Sequence, residues 1–246
     1  EEANRKLVSC VTEMHFAPTK QAMVNLKQEN IDESKIIVTG NTVIDALVMI
    51  KEKIESDSAL QNSLSKNFPF IQEGKRIVLV TGHRRENFGQ GFENICESLK
   101  SLALKNKDVN FVYPVHLNPR VREPVNQLLS NIDNIHLIEP QGYLEFVYLM
   151  INSYIILTDS GGIQEEAPAL GKPVVVMRDT TERPEAVSAG TVVLVGTDKK
   201  KIIDTIDILL NDESKYRKMS MSHNPYGDGT ASQKIVQHII DKMGDM

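Results

Sequence analysis

Leu157-Thr158-Asp159-Ser160-Gly161-Gly162-Ile163-Gln164-Glu165-Glu166 is the stretch on which the reading of this chain turns. The apolar run at 154–157 just before it reads as a buried parallel strand. Two glycines follow Ser160, and residues 163–170 then favour helix. A strand, a tight turn and a helix start present free backbone N–H groups at the positive end of a helix dipole, where a phosphate can sit. Gly161 and Gly162 let an anion come close to the backbone. Ser160 adds a hydroxyl, and Glu166, about one and a half turns into the helix, can accept from ribose hydroxyls. The competing reading is a plain capped helix, with Asp159 or Ser160 as N-cap and the glycines as turn residues.

Outward from this stretch the same unit recurs. Strands at 77–81, 109–115, 135–138, 154–157, 173–177 and 191–195 alternate with helices at 91–104, 120–129, 143–151, 163–170 and 199–210. Helices at 213–219 and 231–243 close the chain. Such alternation predicts an α/β fold, a parallel sheet with helices on both faces. Before it, 14–17 and 35–39 read as short strands, 20–28 and 43–54 as helices, and Thr19 as a helix cap. Residues 56–73, polar and containing Pro69, read as a loose connection.

Ligands of parallel sheets bind outside the carboxyl ends of the strands. His83, Arg84 and Arg85 follow the first strand of the regular region, and His116 and Asn118 the next. Gln141 follows the third, Ser160 to Gly162 the fourth, and Arg178, Glu182 and Arg183 the fifth. Arginines, a histidine and a glycine turn at one sheet edge suit a diphosphate. Taken singly, each has a plainer use. Arg84 and Arg85 can pair with Glu86 or Glu93, His116 can help cap a helix, and Gln141-Gly142 can be an ordinary turn.

The chain has 246 residues, 41% hydrophobic and 25% charged, enough for one large domain or two modest ones. A net charge of −5 disfavours nucleic acid and anionic membranes as partners. Cys10 and Cys96 give neither a metal spacing nor a disulfide framework, which fits a reducing cytoplasm. No run is long and apolar enough for a membrane span. The chain opens Glu1-Glu2-Ala3-Asn4-Arg5 without an initiator Met and already in a helical pattern, so a piece of a longer protein is expected.

Four motifs in order carry a family resemblance. They are Gly82-His83-Arg84-Arg85-Glu86-Asn87-Phe88-Gly89, Pro114-Val115-His116-Leu117-Asn118-Pro119, Asp159 to Pro168, and Arg178-Asp179-Thr180-Thr181-Glu182-Arg183-Pro184-Glu185. The chain resembles the non-hydrolysing UDP-N-acetylglucosamine 2-epimerases along its whole length. The resemblance implies Rossmann-like domains of the glycosyltransferase-B kind. It implies interconversion of UDP-N-acetylglucosamine and UDP-N-acetylmannosamine, by elimination of UDP and its re-addition with inversion at C2. Ser160, Gly161 and Gly162 would hold the diphosphate, and Glu166 the ribose. Phe146 would meet the uracil, with Gln141 close to the nucleotide and Arg183 near the phosphates. His83 and Glu1 would be catalytic, and Arg84 and His116 candidates for an activating second site. No cofactor and no metal are implied. A homodimer and a place in polysaccharide biosynthesis are.

In one respect the sequence departs from the family. The half that precedes the Glu-Glu-Ala-Asn-Arg run in the family, with its further acidic residues, is not here. Residues 1–40 are expected to be a remnant of the N-terminal domain, 41–229 the UDP-binding domain, and 230–246 a helix crossing back. A glycosyltransferase of the same fold and a non-catalytic nucleotide-sugar binding module are the alternatives.

Overall fold

The computed structural model describes residues 2–244, the side chain of Gln72 excepted. The chain divides into two compact units, residues 1–48 with 225–246, and residues 49–224.

In the first unit, α1 (Glu2–Ser9) precedes the parallel pair β1 (His15–Ala17) and β2 (Ile36–Val38), with α2 (Lys20–Gln28) between them. Thr19 caps α2, its side chain accepting from the Ala22 N–H at 3.0 Å. Helix α3 (Thr42–Ser56) begins in this unit and ends in the second.

The second unit adds α4 (Ser58–Asn67), β3 (Arg76–Thr81), α5 (Gln90–Lys105), β4 (Val109–Pro114), α6 (Pro119–Leu129), β5 (Ile135–Ile138) and α7 (Tyr143–Asn152). It continues with β6 (Ile155–Thr158), α8 (Gly161–Ala169), β7 (Val174–Val176), α9 (Pro184–Ala189), β8 (Val192–Leu194), α10 (Lys199–Asn211) and α11 (Glu213–Ser220). The last helix, α12 (Ala231–Gly244), belongs to the first unit, where the Asp45 carboxylate accepts from the N–H groups of Ala231 and Ser232 at its start.

Six strands form one parallel sheet in the order β5-β4-β3-β6-β7-β8. The strands are largely apolar because both faces are covered, with Asn110 in β4 and His136 in β5 as polar positions inside them. Val78, Val80, Phe111, Tyr113, Ile155 and Leu157 join a core with α5, α6 and α10. Leu79, Val112 and Ile156 alternate with them to the other face, also buried. On the described helices, α7 packs against β3 and α8 against β7. Cys96 is part of this core, and burial pushes its thiol up to about 12, so it is a packing residue. Among the described residues no helix is long and apolar enough to cross a membrane.

The strand expectations match within a residue or two. Residues 56–73 do not read as structured in the sequence, yet they are. Asp57 caps α4, its Oδ1 accepting from the Leu60 N–H at 2.9 Å, and a 3-10 turn follows at Pro69–Glu73. Leu64, Phe68 and Phe70 are buried. Phe70 stacks on His136 at 4.6 Å and Phe68 on Tyr148 at 6.1 Å. Leu60 and Leu64 are the only large apolar residues in α4, too few to announce a helix among polar neighbours, so tertiary packing decides this segment.

Strand β4 enters the sheet past a buried polar post. The Asn134 side-chain N–H groups donate to the carbonyls of Ala103, Asn106 and Val109 at 2.8–3.1 Å. Asn134→Ala leaves these acceptors short of donors, two of them in buried contacts. It is expected to lower the unfolding free energy by about 1–3 kcal/mol in urea denaturation. An unchanged midpoint would mean that water replaces the amide without cost.

Candidate functional site

The sheet's strand order reverses between β3 and β6. Strands β4 and β5 extend it on one side, β7 and β8 on the other. Loops leaving the carboxyl ends of β3 and β6 therefore diverge, and a crevice opens between them, where open α/β sheets take their ligands. Thr81 and Thr158 are paired in register, their hydroxyls 2.6 Å apart. The residues that follow each of them face one another across the crevice.

A cleft of about 290 Å³ lies there, lined by Thr81, Gly82, His83, Pro114, His116, Pro140, Gln141, Phe146, Ser160 and Ile163. Five sequence-predicted residues, His83, His116, Gln141, Phe146 and Ser160, are thus brought together. Gly82 is demanded by close approach. A Cβ there would meet the Tyr113 hydroxyl at 3.0 Å, the same hydroxyl that donates to the Gly82 carbonyl.

Helix α8 starts at this cleft with Ser160 as N-cap and no side-chain cap bond. Its N-terminal N–H groups therefore need another acceptor. Neither Gly161 nor Gly162 has a positive φ. A Cβ at Gly161 would meet only ordinary neighbours, Arg84 Nη2 at 3.7 Å and Arg183 Nη2 and Glu182 Oε2 at 3.9 Å. At Gly162 it would meet Glu166 Oε2 at 4.0 Å. The fold does not require glycine at either position. What two glycines supply is bare backbone beside two guanidinium groups.

The other predicted residues fall around this turn. Arg183 donates from Nε to the Glu165 carboxylate. Glu166 accepts a 2.7 Å hydrogen bond from the Tyr143 hydroxyl. Burial holds the Glu166 carboxyl above the usual carboxylate range, the Tyr143 bond pulls it down, and the charge of Glu165 pushes it up. Arg178 is not a free cation for a ligand. It is 7% exposed and donates to Glu86 at 2.7 Å and in a bidentate pair to Glu182 at 2.9 and 3.1 Å, which holds the Glu182 carboxyl low. It ties the β3 loop to the β7 loop. Glu1 lies outside the described residues.

The capping alternative fails for Asp159. This fully buried residue turns away from α8, and Oδ2 accepts from the N–H groups of His83 and Arg84 and from Asn87 Nδ2, at 2.8–3.2 Å. His116 Nδ1 accepts from the Asn118 N–H at 3.1 Å while Asn118 itself caps α6, so His116 both braces a turn and lines the cleft. Tyr143 and Asp159 escaped sequence reasoning as site residues. Their partners lie 23 and 76 positions away, and only the fold makes them neighbours.

A larger cavity, about 840 Å³, belongs to the first unit among α1, β1 and α2 and contains none of the described candidate residues. No group of three or more His, Cys, Asp or Glu among the described residues is placed to hold a metal ion.

Comparison with known proteins gives a consistent picture. The pattern of one family, UDP-N-acetylglucosamine 2-epimerase, matches residues 1–240. The UDP-N-acetylglucosamine 2-epimerase of Escherichia coli (strain K12) is 56% identical over 237 residues, 96% of this chain and 63% of that protein. The crystal structure of UDP-GlcNAc 2-epimerase from Neisseria meningitidis bound to UDP-GlcNAc superposes with a TM-score of 0.91 at 54% identity, over 98% of this chain and 65% of that one. The S. aureus MnaA-UDP co-structure gives 0.88 at 43% identity, over 100% of this chain and 65% of that one. The chain therefore spans a little under two thirds of the length of the relatives it matches. With nearly all of its residues covered by these matches, the chain belongs to the UDP-N-acetylglucosamine 2-epimerase family and has its α/β, glycosyltransferase-B-like fold.

Proposed function

We propose that the protein carrying this chain is a non-hydrolysing UDP-N-acetylglucosamine 2-epimerase and that this chain supplies its UDP-binding half. The observation that carries the reading is the uncapped start of α8, with two glycines the fold does not need beside Arg84 and Arg183. The diphosphate lies on the N–H groups of Gly161 and Gly162 and the hydroxyl of Ser160, whose own N–H is donated to Thr158 Oγ1 at 3.0 Å. Glu166 takes the ribose hydroxyls, Phe146 meets the uracil through its main chain with Gln141 close to the nucleotide, and Arg183 and His83 sit near the phosphates and the sugar. A base removes the C2 proton, the C1–O bond breaks, and UDP leaves with the bonding electrons to give the 2-acetamidoglucal. UDP then adds back at C1 while a proton returns to the opposite face of C2. Positive charge at the diphosphate stabilises the departing group.

In the same proposal, residues 1–40 are the remnant of the N-terminal domain, 41–229 the UDP-binding domain, and 230–246 the helix that crosses back. Glu1 is a catalytic carboxylate, Arg84 and His116 belong to an activating nucleotide-sugar site, and the intact protein is a cytoplasmic homodimer.

Three measurements test this. Glu166→Ala is expected to weaken UDP far more than the 2′,3′-dideoxy analogue in calorimetry. Equal losses would remove Glu166 from the ribose. Arg183→Ala removes a charge-assisted contact worth about 1.5–3 kcal/mol, so UDP affinity is expected to drop about tenfold or more. Unchanged affinity in a folded variant would take Arg183 out of the site. In deuterated water the intact protein is expected to place deuterium at C2 of UDP-N-acetylglucosamine, and the 246-residue chain to bind UDP without exchange. The chain spans 63% of the length of such a relative, so in this reading part of the catalytic machinery lies outside it. Transfer of the sugar to an acceptor without C2 exchange would favour a glycosyltransferase instead.

A further inference from the structure

Asp159 is fully buried, yet only one of its oxygens is satisfied. Oδ2 collects three donors, two of them the backbone N–H groups of His83 and Arg84. Among the described residues Oδ1 has no hydrogen-bond donor. Nδ1 of His83 lies 3.4 Å from it without forming a hydrogen bond. Leaving a buried carboxylate oxygen unmatched is costly. A lone pair on Nδ1 facing that oxygen would add repulsion, whereas a proton on Nδ1 supplies the missing donor. Such pairs tighten when a complex forms.

We propose that Asp159 is the positioning residue of His83. It fixes the imidazole with its proton on Nδ1, so that Nε2 is the nitrogen that exchanges a proton or hydrogen bond with the bound sugar nucleotide. The proposal rests on the placement of His83 at the substrate argued above. His116 supports the assignment from the other side. It stacks on His83 with ring centres 5.7 Å apart and planes 20° apart. Its Nδ1 already accepts from the Asn118 N–H and so carries a lone pair. The two stacked rings hold opposite tautomers. A proton gained at Nε2 by one of them goes to His83, which has the carboxylate behind it, and returns from the same nitrogen. The Nδ1 proton stays in place throughout. This is how a buried carboxylate orients and supports an imidazole in acyl-transfer triads, here on loops that diverge from adjacent parallel strands.

The test begins with the 246-residue chain itself, labelled with 15N histidine. His83 is expected as the Nδ1–H tautomer, a result that needs no variant. Asp159→Asn keeps a carbonyl oxygen for the two backbone N–H groups and turns an amide N–H toward Nδ1, so His83 is expected to switch to Nε2–H. In the intact protein the same substitution is expected to retain UDP binding and slow C2 deuterium exchange by about a hundredfold. Asp159→Asn added to His83→Asn is expected to cost nothing further. An Nε2–H tautomer in the unaltered chain overturns the proposal. So does unchanged exchange in the Asp159→Asn protein, or lost UDP binding with the tautomer unmoved, which would leave Asp159 only a loop brace. If the intact unaltered protein shows no C2 exchange at all, the epimerase reading fails, and the tautomer measurement still decides the Asp159–His83 pairing by itself.

Discussion

The reversal of strand order between β3 and β6 is the constraint on which the rest of the second unit depends. Elsewhere along the sheet edge the chain steps from strand to strand in one direction. Here the loops part, and the gap cannot be filled with apolar side chains without abolishing the site. It is bridged by polar ones. Asp159 from the end of β6 reaches the N–H groups of the β3 loop. Asn87 of that loop donates both to Asp159 and to the carbonyl of Met177 after β7. Arg178 then joins Glu86 to Glu182. Three loops from three strands are fastened by one connected network.

A network of this kind fixes a shape only if its members are matched, because half-satisfied buried polar groups cost more than an apolar filling. The network meets that condition nearly everywhere. Gln164 in α8 donates to the Ser160 carbonyl and accepts at 2.6 Å from Thr181, whose hydroxyl oxygen accepts the Arg183 N–H. The rigid frame therefore carries Arg183 to the glycine turn by a route of side chains, not by helix or strand. Two of the buried atoms without a partner, Asp159 Oδ1 and Arg84 Nε, belong to residues adjacent in sequence to the cleft-lining Ser160 and His83.

The sheet was legible in the sequence because buried parallel strands are continuous apolar runs, and 77–81, 109–115 and 154–157 read that way without help. The glycine turn was legible because its spacing is local. Strand order was not, since it depends on packing of helices on two faces, and with it went the position of the crevice. The same limit explains the particular residues. Asp159 sits where an N-cap would sit, and its true partners come from β3. Tyr143 opens a helix and only the fold brings it to Glu166. Arg178 and Arg183 look alike in the sequence, but five residues of loop give one to two structural carboxylates and carry the other to the turn. Residues 58–67 carry too few apolar positions to show a helical period, and Leu64 is the buried residue that anchors them.

The charge around the turn has to be reconciled with the proposed anionic ligand, because the chain is acidic and Glu165, Glu166 and Glu182 all lie close to Gly161 and Gly162 or to their arginine. Three free carboxylates would repel a diphosphate more strongly than one helix dipole attracts it. Each is instead dealt with differently. Glu182 is neutralised by the bidentate contact with Arg178. Glu165 is paired with Arg183 through Nε, and the remaining guanidinium N–H groups are the ones the proposed phosphate would use. Glu166 is disfavoured as an anion by burial, and the Tyr143 hydroxyl shares its Oε1. The acidic side chains thus hold the cations in position without cancelling the field at α8. Arg84 and Arg183 flank the turn even in a protein of negative net charge.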